Sequence, residues 1–255
     1  KKSRPFYRTV LFEAIKVAAV FAITVTCGIY FHKSQISKIG KSMNTITVPA
    51  GQRANLTLPD GTNVWLNARS EMRYPAAFTG NKREITLDGE AYFEVAYKND
   101  KPFVVRTDKG NVEVLGTKFN VEAYSDSEDF CTSLMEGVVR VSNKKKPSES
   151  LVLAPNQQVS LANGHLYSRP IADFDPFRWK EGLICFKNMK FKELMSRFEK
   201  CFGMRIVIEN ERLDNYICSG KFRVADGIDN ALRILQKDAK YTFERNKDES
   251  VIYIK

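Results

Sequence analysis

In the stretch LDGEAYFEV, residues 87–95, two carboxylates stand four positions apart with an aromatic ring between them: Glu90, Tyr92 and Glu94. Paired carboxylates are the equipment of glycoside hydrolysis when their carboxyls lie roughly 5–9.5 Å apart. The residues around them alternate, which is the pattern of a β-strand with Ala91, Phe93 and Val95 on one face and Glu90, Tyr92 and Glu94 on the other. Four residues of strand cover about 13 Å, too far for an acid–base pair. The spacing therefore predicts a solvated strand face rather than a catalytic site.

Other chemistry is sparse. The chain has two histidines, His32 and His165, and neither belongs to a metal-like spacing or a Ser/Asp constellation. No glycine-rich nucleotide loop occurs. No cofactor, metal or catalytic residue is expected. Of five cysteines, Cys27 lies in an apolar run, while Cys131, Cys185, Cys201 and Cys218 lie beyond it with no C-x-x-C spacing. In an oxidising compartment these four allow three disulfide connectivities. Cys201 falls on the apolar face of a helical pattern and the others in strand-like runs, so a small buried hydrophobe is the favoured role of each.

The elements that position these residues follow from charge and periodicity. The net charge of +10 suggests nucleic acid, but residues 1–45 hold eight basic residues against one acid, Glu13. They carry +7 of the excess, so the rest of the chain is near neutral and no direct nucleic-acid binding is expected. The basic residues flank TVLFEAIKVAAVFAITVTCGIYF, residues 9–31, which as a helix would reach about 35 Å, enough to cross a bilayer core of about 30 Å. A spanning helix is the leading reading, with Lys16 snorkelling to the near interface. A cleaved signal peptide is an alternative, although no A-x-A-like site follows Ile29. So is a lipoprotein on Cys27, although Thr26 stands where a small Gly or Ala belongs. Lys1, Lys2, Arg4 and Arg8 precede the span and favour a cytoplasmic N-terminus. The chain begins at Lys1 rather than Met, which reads as the loss of its natural start.

From residue 46 to about 170 the chain reads as short alternating strands. Turns are signalled at Pro59-Asp60-Gly61, Asp88-Gly89, Asp108-Lys109-Gly110, Glu136-Gly137 and Asn163-Gly164. This is an all-β unit, a sandwich or a flattened solenoid. After the Pro-punctuated RPIADFDPFRWKEG the period changes. Asn188 is positioned to cap a helix whose Phe191, Leu194, Met195, Phe198, Cys201 and Phe202 form one apolar stripe, ended by Gly203. A second helix carries Ile228, Ala231, Leu232 and Leu235. The predicted order is β-α-β-β-α-β-β, a small α+β domain.

Several of these stretches, LPDGTNVWLNARSEMRYP, REITLDGEAYFEV, KPFVVRT, VEVLGTKFNVEAY, LMEGVVRVS and LAPNQQV, resemble the FecR family of transmembrane anti-sigma regulators. Residues 179–255 resemble the C-terminal domain of one branch, itself similar to the short N-terminal domain of secretins and TonB-dependent receptors. The resemblance implies a cytoplasmic basic tail over 1–8, lacking the sigma-binding N-terminal domain, and the transmembrane helix over 9–31. It further implies a juxtamembrane linker over 32–44, a FecR-type all-β periplasmic domain over 45–170, a linker over 171–180 and the α+β domain over 181–255. It implies an inner-membrane protein that relays a signal from the periplasmic domain of a TonB-dependent outer-membrane receptor to an extracytoplasmic-function sigma factor. Iron or glycan uptake genes would be the output. It also implies self-cleavage in some members at the Gly-Thr matching Gly116 and Thr117, by an acyl shift to the Thr hydroxyl.

Receptor contact by strand addition suggests the C-terminal run Val251, Ile252, Tyr253 and Ile254 as an exposed edge. The competing class is a membrane-anchored periplasmic glycan-binding module or carbohydrate-active enzyme, with Trp65, Tyr74, Tyr92 and Tyr97 stacking on sugars.

Overall fold

The structure, a computed structural model, describes residues 16, 18–31, 42–248 and 250–255. A helix, α1, covers 18–31, and its large apolar side chains, Phe21, Ile29 and Phe31 among them, are exposed. Among the described residues no helix is long and apolar enough to cross a membrane. Residues 9–15 and 17 of the expected span, the tail 1–8 and residues 32–41, with His32, lie outside the described residues.

Thirteen strands follow: β1 (Met43–Thr47), β2 (Ala54–Thr57), β3 (Asn63–Leu66), β4 (Glu71–Pro75), β5 (Arg83–Glu94), β6 (Phe103–Arg106), β7 (Gly110–Val114), β8 (Lys118–Ala123), β9 (Cys131–Glu136), β10 (Val139–Asn143), β11 (Ser150–Leu153), β12 (Gln157–Ala162) and β13 (His165–Pro170). They make two layers that share β5. Its first half pairs with β4 and β6, its second half with β3 and β8. The layers enclose one core containing Phe93, Phe103, Phe119, Val141 and Leu153. Phe93 stacks on Phe119 at 5.0 Å and touches Phe103 of the other layer at 6.0 Å. The all-β expectation holds, in its sandwich form.

Asp88-Gly89 is not a turn. It is the bend where the twelve-residue β5 passes from one layer to the other. Gly89 has φ +124°, and a Cβ there would collide with Ser70, whose hydroxyl accepts from the Glu90 amide at 2.9 Å. Only glycine meets both demands. Since β5 ends in one layer and β6 begins in the other, parallel to β5, the loop of residues 95–102 must carry the chain back across.

The C-terminal unit contains β14 (Leu183–Lys190), α2 (Phe191–Phe202), β15 (Arg205–Ile208), β16 (Ile217–Arg223), α3 (Ile228–Ala239), β17 (Phe243–Arg245) and β18 (Val251–Ile254). This is the predicted order. Both helical stripes are buried, and Gly203 closes α2 in the left-handed conformation at φ 68°. Asn188 is not the cap. It sits in β14 at φ 50°, where the ladder to β16 shifts register, and its amide donates to Ser219. A short polar side chain tolerates that conformation in a bulge.

The expected edge at Val251–Ile254 is overturned. Strand β18 is the centre of a three-stranded sheet, parallel to β15 and antiparallel to β17, and Ile252 and Ile254 are fully buried. The parallel crossover through the second helix places the last strand between two earlier ones, which no local pattern reveals.

Candidate functional site

The face of β5 bearing Glu90, Tyr92 and Glu94 is only partly solvated: Tyr92 is buried, and Glu90 and Glu94 are half-buried. A short 3-10 helix, Asp175–Glu181, and helix α2 cover it. The connector brings Trp179 and Lys180. Trp179 is buried, and its indole N–H donates to Asn120 on β8 at 3.3 Å. Lys180 stands 4.0 Å above the Tyr92 ring and 5.3 Å from that of Trp65, with Glu94 at 3.8 Å. Burial, with Glu94 and Glu136 nearby, pushes the Tyr92 phenol up to about 12. The residues from 49 to 53 clasp the far side. Arg53 donates to the Trp179 carbonyl, and the Gly51 amide donates to the Lys200 carbonyl of α2 at 3.1 Å. A Cβ on Gly51 would fall 2.9 Å from the Phe202 carbonyl oxygen, so the two backbones meet in direct contact. Residues 171–180, read as a linker, are thus a packed wedge.

Between the two units lies a cavity of about 370 Å³ lined by Glu90, Glu122, Tyr124, Trp179, Arg197 and Lys200, among others. The Glu90 carboxylate accepts from the Asn67 amide at 2.7 Å and the Asn120 amide at 3.0 Å. Those bonds and the Arg197 charge favour its ionised form. Burial and the neighbouring Glu122 outweigh them and push the carboxyl up to about 7. Lys200 stands over the Tyr124 ring at 4.7 Å, and the Tyr124 hydroxyl donates to the Ala68 carbonyl. Cys131, Cys185 and Cys201 also face this cavity; burial raises the pKa of all three thiols, that of Cys201 to about 11. Cys218 is buried too, and these four cysteines are free thiols in the structure.

The Glu90 shift has a measurable consequence. An unfolded Glu titrates near 4.3. Between that value and about 7 the folded chain binds the extra proton, so Glu90 makes stability fall as pH rises through this window and level off above it. Urea unfolding at pH 5 and pH 8 should show that slope in the wild type and a flatter one in Glu90→Gln. Equal slopes would assign the pH dependence to other groups.

Glu90 and Glu94 remain on one face but find separate partners, the amide pair and Lys180, and do not converge. The four aromatics do not form a cleft either. Trp65 and Tyr92 pack edge to face under Lys180, Tyr74 packs against the core from β4, and Tyr97 lies against Gly116. His165 approaches Glu149 and Lys146 at the surface. Among the described residues no group of His, Cys, Asp and Glu could hold a metal ion.

Gly116 and Thr117 join β7 to β8. A Cβ on Gly116 would lie 2.7 Å from Tyr97 Cα, and one on Gly137 would lie 2.9 Å from the Thr117 hydroxyl and 3.0 Å from the Gly116 carbonyl oxygen. The Thr117 hydroxyl donates to the Val138 carbonyl at 3.2 Å. The peptide is wedged between two backbones, and the Leu115 carbonyl before it is held by Arg83 at 2.9 Å.

Arg83 is the residue that the motif reading passed over. It is wholly buried and paired with the buried Asp60 at 2.7 Å. It donates further to the carbonyls of Ala96 (2.7 Å) and Lys101 (2.9 Å). A signal was present: in REITL, Arg83 shares the phase of Ile85 and Leu87, both core residues.

Residues 44–140 match the family model described as FecR protein, and residues 183–253 match the one described as FecR, C-terminal. Two crystal structures of a candidate anti-sigma factor from Parabacteroides distasonis are similar, each at 29% identity with a TM-score of 0.71. They cover 83% and 84% of this chain and 98% of their own. No curated protein matches the chain.

Proposed function

This chain belongs to the FecR family of anti-sigma factors, and from that premise we propose that it relays a signal from a TonB-dependent outer-membrane receptor to an extracytoplasmic-function sigma factor. The observation that carries the reading is that both family segments fold into separate cores joined by a wedge packed between them. Such a pair of units is suited to receiving a protein at one unit and passing a change in their packing to the other. In this reading residues 45–170 and 181–255 are periplasmic domains, and residues 9–31 span the inner membrane with the N-terminus in the cytoplasm. The exposed apolar side chains of α1 and the basic residues before it support that placement. In this reading the sigma factor is held on the cytoplasmic side of the membrane.

The test is calorimetry of the whole chain in detergent, titrated with the isolated periplasmic domain of the TonB-dependent receptor encoded beside its gene. Saturable binding is expected. Absence of binding to that domain would refute the relay.

Self-cleavage between Gly116 and Thr117 belongs to the same proposal. In that step the Thr117 hydroxyl attacks the Gly116 carbonyl carbon, the acyl group passes from the Thr117 nitrogen to its oxygen as the nitrogen takes up the proton, and water then hydrolyses the ester to release two fragments; the close backbone contacts at Gly116 and Gly137 support a fixed geometry there. Purified wild type should run as two fragments and Thr117→Ala as one band. A single intact band for both would remove self-cleavage and leave Gly116 as a packing residue against Tyr97.

A further inference from the structure

The cavity between the two units carries charges of both signs that do not pair with each other. Glu90 and Glu122 stand on strands β5 and β8 of the sandwich and Arg197 and Lys200 on α2, while Arg169 of β13 and Asp173 of the connector add one charge of each sign. Each is occupied otherwise or not at all within hydrogen-bonding reach. The Glu90 oxygens take amide donors from Asn67 and Asn120, and Lys200 lies over the Tyr124 ring. Arg197 acts on Glu90 only as a charge at a distance. Arg197 is exposed and Glu122 and Lys200 partly so, and opposite charges held apart around one cavity present partners that a guest bearing both charges would engage in place of water.

The space is large enough for such a guest, within the range of small-molecule sites, and its remaining lining is mixed, with Phe177 and Trp179 beside polar groups such as Ser133 and Gln158. We propose that this cavity binds a small peptide-like zwitterion, its ammonium toward Glu90 and Glu122 and its carboxylate toward Arg197 and Lys200. An ammonium there would hold the Glu90 carboxyl ionised against the burial that now pushes it up. Its two ends would rest on different units, so occupancy would tie the sandwich to the C-terminal unit. The inference stands apart from the receptor relay, because it concerns a small molecule and a cavity rather than a docking surface.

The experiment titrates the whole chain in detergent with three probes: trialanine, N-acetyl-trialanine, which lacks the ammonium, and trialaninamide, which lacks the carboxylate. Trialanine should bind saturably, and each capped form at least about tenfold more weakly, the loss expected for one charged hydrogen-bonding partner. Arg197→Met and Glu122→Gln, both at positions with solvent access, should melt as the wild type does and each weaken trialanine about tenfold. No heat from trialanine at millimolar concentration would overturn the proposal. So would equal binding of the three probes, or undiminished binding by both variants. Receptor-domain binding, measured on the same preparation, reports on the relay independently.

Discussion

Replacing Arg83 with Met is expected to unfold the β-sandwich or leave it barely stable. The guanidinium is fully buried, and the same side chain is the only described one that ties Asp60 to the carbonyls of Ala96, Lys101 and Leu115. These groups belong to the Pro59-Asp60-Gly61 turn, the crossing loop 95–102 and the end of β7. Methionine fills much of the volume but leaves a buried carboxylate with only the Thr62 amide and hydroxyl, takes the donor from the Ala96 and Lys101 carbonyls, and leaves the Leu115 carbonyl with the Lys98 amide alone. Breaking a buried ion pair by removing one partner costs about 3–5 kcal/mol, out of a total of roughly 5–15 kcal/mol for a domain. Urea unfolding should show a midpoint shifted down by roughly a fifth or more. The double variant Asp60→Leu with Arg83→Met should lose less than the sum of its parts, since it leaves no unpaired charge. A single variant within about 1 kcal/mol of wild type would show that the ion pair is dispensable, contrary to the geometry.

Deleting Val251–Lys255 is expected to unfold the C-terminal unit and spare the sandwich. The deletion removes the central strand of a three-stranded sheet, leaving β15 and β17 without their partner. It also removes Ile252 and Ile254, which pack against the stripes of both helices. Truncating one buried Ile costs about 2–5 kcal/mol by itself, so losing two along with both ladders exceeds what a unit of this size holds. Hydrogen exchange should show the amides of α2 and α3 unprotected while β5 and β8 stay protected. Protected α2 and α3 amides in the truncated chain would mean that the last strand is peripheral after all. Any loss of partner binding on this deletion would reflect lost folding, not a lost docking edge.

What the sequence determined by itself was whatever depends on near neighbours along the chain. The stripe from Phe191 to Phe202 specifies a helix with one buried face, because 3.6 residues per turn bring those side chains together. Gly203 stops it because only a left-handed residue ends that turn without strain. Asn163-Gly164 makes the β12–β13 hairpin, both residues having positive φ. The ordered motifs were enough to indicate the family. Tertiary structure alone decided the rest. Glu90, Tyr92 and Glu94 alternate as a solvated face would, yet a helix and a wedge from more than eighty residues later cover them. Alternation reports that one face differs from the other, not that the polar face meets water. Val251–Ile254 ends the chain, but a parallel crossover puts it in the middle of its sheet. Arg83 and Asp60 look like surface charges until the two layers close around β5, and the buried pair is then held by its mutual attraction and by carbonyls that no local pattern brings near. The site lies where the two units meet, and that meeting is a property of the folded chain rather than of any segment within it.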